Sequence, residues 1–363
     1  MKKYFLPAII IFVLGACKKN DPSPVSQDAP PGASYSANIV FTAGKYADIK
    51  PVNRGGAVPA TIYGDVTTLA GSTEGASGYV NTNGTAALFN APQQLTHDSQ
   101  GNIYVADSKN NAIRKISPDG TVTTFAGSLT GLNGDKDDTS ASALFDFPDG
   151  ITTDAAGNFF VSDYNNYAIR KITPAGAVST FYQGAALAGA NGLCFDKSGN
   201  LFVALQNSNQ VAKISTAGVL TIIAGSPAGA IGYVNGTGAS ATFFEPTDVK
   251  ADAAGNVYVV DLGNNAIRKI TPTGVVTTFS GTPAGPDAGG NPYLFRNPSG
   301  IAIGPGGVMY VADLANAQVQ RIMPDGTVSL VAGSLIGTYG DADGAGSAAR
   351  FFEPAYISID DTT

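Results

Sequence analysis

The chain is expected to fold as an all-β six-bladed β-propeller of four-stranded antiparallel blades. Three observations predict it. One strand segment recurs five times, as GNIYVAD (101–107), GNFFVSD (157–163), GNLFVAL (199–205), GNVYVVD (255–261) and GVMYVAD (307–313). Neighbouring copies stand as little as 42 residues apart, from Asn158 to Asn200, which is room for four short strands and tight turns. The 363 residues include 45 Gly and 21 Pro with only 13% charged residues, a composition of many strands and turns around an apolar core.

Each copy sits in a longer unit. A second strand follows it: NAIRKI (111–116), YAIRKI (167–172), NQVAKI (209–214), NAIRKI (265–270) and the looser AQVQRI (317–322). A third comes after a turn: VTTFAG (122–127), VSTFYQG (178–184), LTIIAG (220–225), VTTFSG (276–281) and VSLVAG (328–333). A fourth precedes each Gly-Asn turn, such as GITTDAA (150–156). Lettered a to d in chain order, these give five full blades over 88–334. A lone d strand, VTTLAG (66–71), and a lone a strand, AYISID (355–360), remain. Joined in a sixth blade shared between 37–71 and 351–363, they close the ring and remove two open edges. Strands b and c of that blade come from ANIVFTAG (37–44) and AVPATIY (57–63), or from chain beyond Thr363, or are missing beside an unrelated N-terminal strap. Over 61–363 the G-N-x-Y-V-x-D and A-I-R-K-I strands resemble those of NHL-repeat propellers.

The N-terminus carries a different message. Lys2 and Lys3 precede an apolar run from Tyr4 to Leu14, too short to span a bilayer, which reads as a signal peptide. Leu14-Gly15-Ala16-Cys17 resembles the lipobox of bacterial lipoproteins, so the Cys17 thiol is expected to be lipidated and 1–17 to be the signal segment. Polar, Pro-rich residues 18–36 read as a flexible tether before a propeller domain at 37–363. Lys18, Lys19 and Asp21 resemble the start of envelope lipoproteins from Bacteroidetes-like bacteria. A lipid-anchored place in the cell envelope follows, on the outer membrane, either periplasmic or surface-exposed. The net charge of -7, with no basic cluster, argues against nucleic acid. A monomer is expected. The second cysteine, Cys194, lies in an apolar strand and reads as a small buried hydrophobe.

In an up-and-down blade the b–c turn and the d-to-a connection share one face. Four of those connections are long (128–146, 226–245, 282–297 and 334–353), and a fifth, 72–91, precedes the first blade. Long loops on one face of a rigid scaffold are where binding usually sits. The connection 184–189 is short and leaves a gap in that face. Phe89, Phe145, Phe244, Phe295 and Phe352 recur and are expected to pack. Tyr79, Tyr233 and Tyr339, in mid-loop, are binding candidates.

Carboxylates recur at the end of strand b. Asp107, Asp163 and Asp261 each precede an Arg by seven residues: Arg114, Arg170 and Arg268. Repeat three loses both partners together, as Leu205 and Ala212, which is how a structural pair behaves. The residues opening strand a vary more: Gln94, Asp149, Asn191, Asp248, Ser299 and Tyr356. They are expected near the mouth of the central channel, where Asp149, Asn191 and Asp248 could hold Ca²⁺ or another divalent ion through oxygen. The single histidine, His97, cannot supply the several-histidine zinc site of amidating lyases with NHL-like repeats. No nucleophile–base pair is present in the sequence. The expected function is a non-catalytic binding module that presents its long loops to a protein or polysaccharide partner, with no resident cofactor. The alternative is a metal-dependent, lactonase-like hydrolase or lyase at the channel mouth.

Overall fold

Alternating strands of Val, Ile, Phe and Tyr separated by tight turns produce five antiparallel sheets of four blade strands, one of them widened by the short strand Gly236–Thr237, in the computed structural model, which describes residues 37–41, 45–49, 65–282 and 294–359. Blade 1 covers 92–127, blade 2 148–183, blade 3 190–224, blade 4 246–281 and blade 5 298–333. In each, strand order follows chain order. The fold is an all-β propeller of antiparallel blades. The signal segment, Cys17, the tether and the expected strand at 57–63 lie outside the described residues. Ala37–Phe41 pairs with Lys45–Ile49 as an antiparallel hairpin.

The a–b turns are built by a repeated side-chain device. Asp98 Oδ1 accepts the backbone N–H groups of Gln100 and Asn102 at 2.9 Å each, and Asn102 Nδ2 donates to Asp98 Oδ2 at 2.8 Å. Asp154, Asp196 and Asp252 do the same for their turns. A short acid that satisfies the turn backbone fixes where one strand ends and the next begins.

The core lies between adjacent blades. Tyr104, Ala106, Ile113 and Ala126 of blade 1 pack on Phe145, Ile151, Phe159 and Val161 from blade 2 and its approach. Cys194 is buried in the equivalent layer between blades 3 and 4, and burial pushes its thiol up to about 12. It is the inert hydrophobe its sequence context suggests.

Both ends of the described chain meet between blades 5 and 1. Val66 and Ile357 pack on blade 5, while Ala70, Ala355 and Tyr356 pack on blade 1. Residues 355–359 form no ladder, yet they hold the position of a strand a. A Cβ on Gly300 would meet Tyr356 Cα at 2.6 Å, as one on Gly192 would meet Asp248 Cα at 2.8 Å. On the outer side, Gly344–Ala345 of the last connection pairs with Asp65–Val66. Connection 226–245 makes the matching contact, pairing Gly236–Thr237 with Val275–Val276 on the outer strand of blade 4. Single bridges Asn83↔Thr121 and Thr139↔Ala177 repeat it on blades 1 and 2. Each of these long connections therefore covers the outer edge of the following sheet, where unpaired backbone groups would otherwise invite strange partners.

Candidate functional site

The long-loop face is assembled around three buried arginines. Arg114, Arg170 and Arg268 on strand c are fully buried, as are Asp107, Asp163 and Asp261 on strand b. Their ion pairs measure 2.7, 2.8 and 2.8 Å. Buried charge demands hydrogen bonding, and the loops supply most of it, though the Nε of Arg170 and of Arg268 is buried without a partner. Arg114 Nη1 also donates to Leu88 O (3.1 Å), Nη2 donates to Val80 O (2.9 Å) and Asn81 Oδ1 (2.7 Å), and Nε donates to Asn81 Oδ1 (3.2 Å). Arg268 holds Thr242 O, Val234 O and Asn235 Oδ1 in the same way, and Arg170 holds Leu144 O and Asp137 Oδ1. The second oxygen of each Asp accepts a loop N–H at 2.7 Å, from Asn90, Asp146 and Phe244. Asn110, Asn166 and Asn264 tie each Asp to a loop carbonyl. The pair expected from the sequence to be structural is thus a clamp on the connection above it.

Aromatic rings close this clamp. The Arg114 guanidinium lies 4.7 Å from the Tyr79 ring centroid and 4.9 Å from that of Phe89. Arg268 lies between Tyr233 (4.7 Å) and Phe243 (5.3 Å). Two of the three tyrosines chosen as binding candidates are therefore half-buried clamp parts, and Tyr79 OH donates to Ser128 O at 2.7 Å. Tyr339 differs, because it precedes its loop glycine where Tyr79 and Tyr233 follow theirs. It stays 45% exposed beside Phe352. The same shift corrects two phenylalanines. Phe243 and Phe351, three residues before the proline, are buried in place of Phe244 and Phe352.

Blade 3 departs from this plan. Leu205, Ser208 and Ala212 replace Asp, Asn and Arg, and Leu187 of the short connection fills the position of the packed phenylalanine. Leu187, Leu205 and Ala212 form an apolar plug. The Ser208 hydroxyl is buried with no partner.

Near the axis the six strand-a candidates fall into two registers, one and two residues after the first residue of strand a, just where each of the five laddered strands has its bulge. Gln94, Asp248 and Tyr356 share one position with Gly150, Gly192 and Gly300; Asp149, Asn191 and Ser299 come one residue earlier. The glycines make room for the large groups: a Cβ on Gly192 would sit 2.4 Å from Asp248 Oδ1. Gln94 Nε2 donates to Asp248 Oδ1 at 2.7 Å, and its Oε1 accepts the Ile151 and Leu193 amides at 2.8 and 3.4 Å. Asp248 also accepts the Val249 and Ile301 amides and both contacts of Lys250 Nζ, at 2.8 and 3.0 Å. Burial raises the Asp248 carboxyl above its ordinary range, and Lys250 opposes this. Tyr356 OH donates to Asn191 Oδ1 and reaches Asp149 Oδ1 at 3.5 Å. Burial pushes Asp149 up to about 7.

The axis is thus a cross-braced hydrogen-bond network. Both Asp248 oxygens are taken by an ammonium and by amide donors, which is a poor fit to a divalent ion. Among the described residues, no group of three or more His, Cys, Asp or Glu side chains is placed to hold a metal. No described helix is long and apolar enough to cross a membrane.

No protein-family model matches the chain, and neither does any curated protein. Solved structures do. A Bacteroides thetaiotaomicron VPI-5482 protein of unknown function is similar at 19% identity and TM-score 0.64, over 92% of this chain and 79% of that one. An auxiliary nutrient binding protein from Bacteroides ovatus ATCC 8483 is similar at 15% identity and TM-score 0.54, over 89% and 70%. A streptogramin B lyase is similar at 16% identity and TM-score 0.51, over 97% and 88%. At these identities the likeness is one of fold: a β-propeller found in both binding proteins and lyases.

Proposed function

We propose that this protein is a non-catalytic binding module of the cell envelope, presenting its long-loop face to a protein or glycan partner. It is anchored through a lipidated Cys17, held off the membrane by 18–36, and works as a monomer. The ring has six blades, the sixth shared between 37–71 and 351–363. The meeting of Val66, Ala70 and Tyr356–Ile357 between blades 5 and 1 supports that closure.

One observation carries the functional reading. Connections 72–91, 128–146 and 226–245 are pinned beneath by buried arginines, while loop tips on this face turn apolar side chains outward. Leu129, Leu132, Ile231, Leu335 and Ile336 are all more than 45% exposed, Ile336 at 88%. Exposed apolar groups repeated at the tips of several loops on one face support reading it as a recognition surface. A nutrient-binding role, like that named for the Bacteroides ovatus protein, suits such a face. The hydrolase or lyase alternative needs a metal at Asp149 and Asp248, and Lys250 already neutralises Asp248.

The test uses the full chain in detergent as bait against envelope extract, beside a Leu129→Asp/Ile336→Asp variant of equal thermal stability. A partner held by the wild type and lost by the variant is expected. Identical capture by both proteins would refute the loop-face reading.

A further inference from the structure

We propose that the gap in the loop face between blades 2 and 3 is a cleft for a neutral oligosaccharide, with Tyr167 as stacking platform and Asn165 and Asn207 as amide partners. This rests on the binding-module reading and names its ligand class.

The first observation concerns the residue that closes each b–c turn in left-handed backbone. It is Asn111, Tyr167, Asn209, Asn265 and Ala317 in blades 1 to 5, all with φ between 50° and 54°. Asn111 uses the position to hold the connection that follows it. Its Nδ2 donates to Gly131 O and its Oδ1 accepts the Phe147 amide, both at 2.9 Å. Asn209 holds Gly229 O and the Glu245 amide in the same way. Blade 2 is followed by connection 184–189, six residues in place of the nineteen in 128–146, so there is no long loop to hold. A tyrosine stands there instead. Asn tolerates left-handed backbone, whereas a bulky ring there is strained, and such strain persists at sites that use it. Packing does not compensate: Tyr167 is 47% exposed, and among the described residues none hydrogen-bonds its side chain.

The second observation is the chemistry of the blade 2 and blade 3 turns that flank the short connection. Tyr164 OH crosses the gap from the blade 2 turn and donates to Asn207 Oδ1 on the blade 3 turn at 3.1 Å. Its ring meets Phe147 edge-on, with centroids 6.0 Å apart. Asn165 and Asn207 are exposed. The nearby Asp146 has its oxygens taken by the amides of Asn165 and Asn133. Lys136, the one unburied cation of the adjoining connection, is paired with Asp138. Among the described residues of these two turns and of connections 128–146 and 184–189, aromatic rings and amides stand with no unpaired cation. Ring faces suit the C–H face of a sugar, and amides donate to and accept from its hydroxyls. An anionic polymer finds no counter-charge here.

The full chain in detergent is titrated calorimetrically with maltoheptaose, mannohexaose and cellohexaose, and with oligogalacturonate as the anionic probe. One neutral sugar is expected to bind. Tyr167→Asn should weaken it at least tenfold while raising Tm by about 2 °C as strain is relieved. Tyr167→Phe, which keeps the ring, should bind within about threefold of wild type, and Asn207→Ala should weaken binding severalfold. No binding by any neutral sugar, tighter binding of oligogalacturonate, or full affinity in Tyr167→Asn would each overturn the cleft. Sugar binding that survives Tyr167→Asn but falls in Leu129→Asp/Ile336→Asp overturns the cleft and leaves the loop-face reading standing. Envelope capture indifferent to both variants defeats that wider reading too.

Discussion

Blade 1 and blade 3 share strand order, turn chemistry and packing, yet they treat one interior position in opposite ways. Blade 1 buries Asp107, Asn110 and Arg114 beneath a long connection; blade 3 carries Leu205, Ser208 and Ala212 beneath a short one. The two strands concerned form equally regular ladders in both. Joining strands b and c is therefore not what the ion pair is for. It holds a loop, and it disappears together with the loop. Burial pushes Asp107 and Asp163 up to about 6, and pushes Asp313, whose strand-c partner is Gln320, up to about 7. Guanidinium partners help to keep the first two nearer their ordinary range.

The comparison can be broken most severely at Arg114. Arg114→Ala strands a buried carboxylate and frees two loop carbonyls, and should cost about 3–5 kcal/mol in urea unfolding. Adding Asp107→Leu, which copies blade 3, should recover part of that loss; a double variant no more stable than the single one would show that the loop cannot do without the clamp.

The axial network gives the next effect through pH. Asp149 has a folded-state value of about 7 against an ordinary 3.8. The folded protein keeps this proton longer than the unfolded chain, so stability falls as pH rises from about 4 to 7, by roughly 3 kcal/mol. Asp149→Asn should make the slope of Tm against pH shallower by that share, the remainder coming from the raised Asp107, Asp163 and Asp313. An unchanged slope would place the titration elsewhere.

Gln94→Ala leaves the Ile151 amide unpaired and removes a donor from Asp248, which should cost about 2 kcal/mol. The smallest effect belongs to blade 3. Ser208→Ala deletes an unpartnered buried hydroxyl and should be neutral or stabilising by up to about 1 kcal/mol. A clear loss there would mean that the hydroxyl has work the clamp-free blade was not thought to contain.

Much of this was legible before any coordinates. Repeat spacing gave the blades, and the paired loss at Leu205 and Ala212 marked Asp and Arg as partners. What the pairs hold was not legible, because the loop acceptors are mostly backbone carbonyls, which any sequence supplies. The axial register was obscured because Gln94, Asp248 and Tyr356 stand two residues, and Asp149, Asn191 and Ser299 one residue, after the aligned start of strand a. Tyr339 looked like Tyr79 until its glycine was seen to follow it. In each case the error is one or two residues, small along the chain and decisive for which way a side chain faces. The release of Tyr167 from loop-holding did leave a trace in the sequence, as a tyrosine where Asn111, Asn209 and Asn265 stand.

The uneven mixture of glycine and bulky groups around the axis reaches beyond packing. A wheel whose hub took the same residue from every spoke could gain or lose a spoke by duplication and still fit together. Here Gln94 crosses to Asp248, and Tyr356 answers Asp149 and Asn191, so the spokes that carry these groups are matched to particular counterparts. Swapping blade 2 for a copy of blade 4 would remove Asp149 from the centre and force a carboxylate side chain into the place of Gly150, where even a Cβ would meet Asn191 O at 2.2 Å. The number and order of the units are thus fixed at the hub, long after the repeats themselves have become nearly alike.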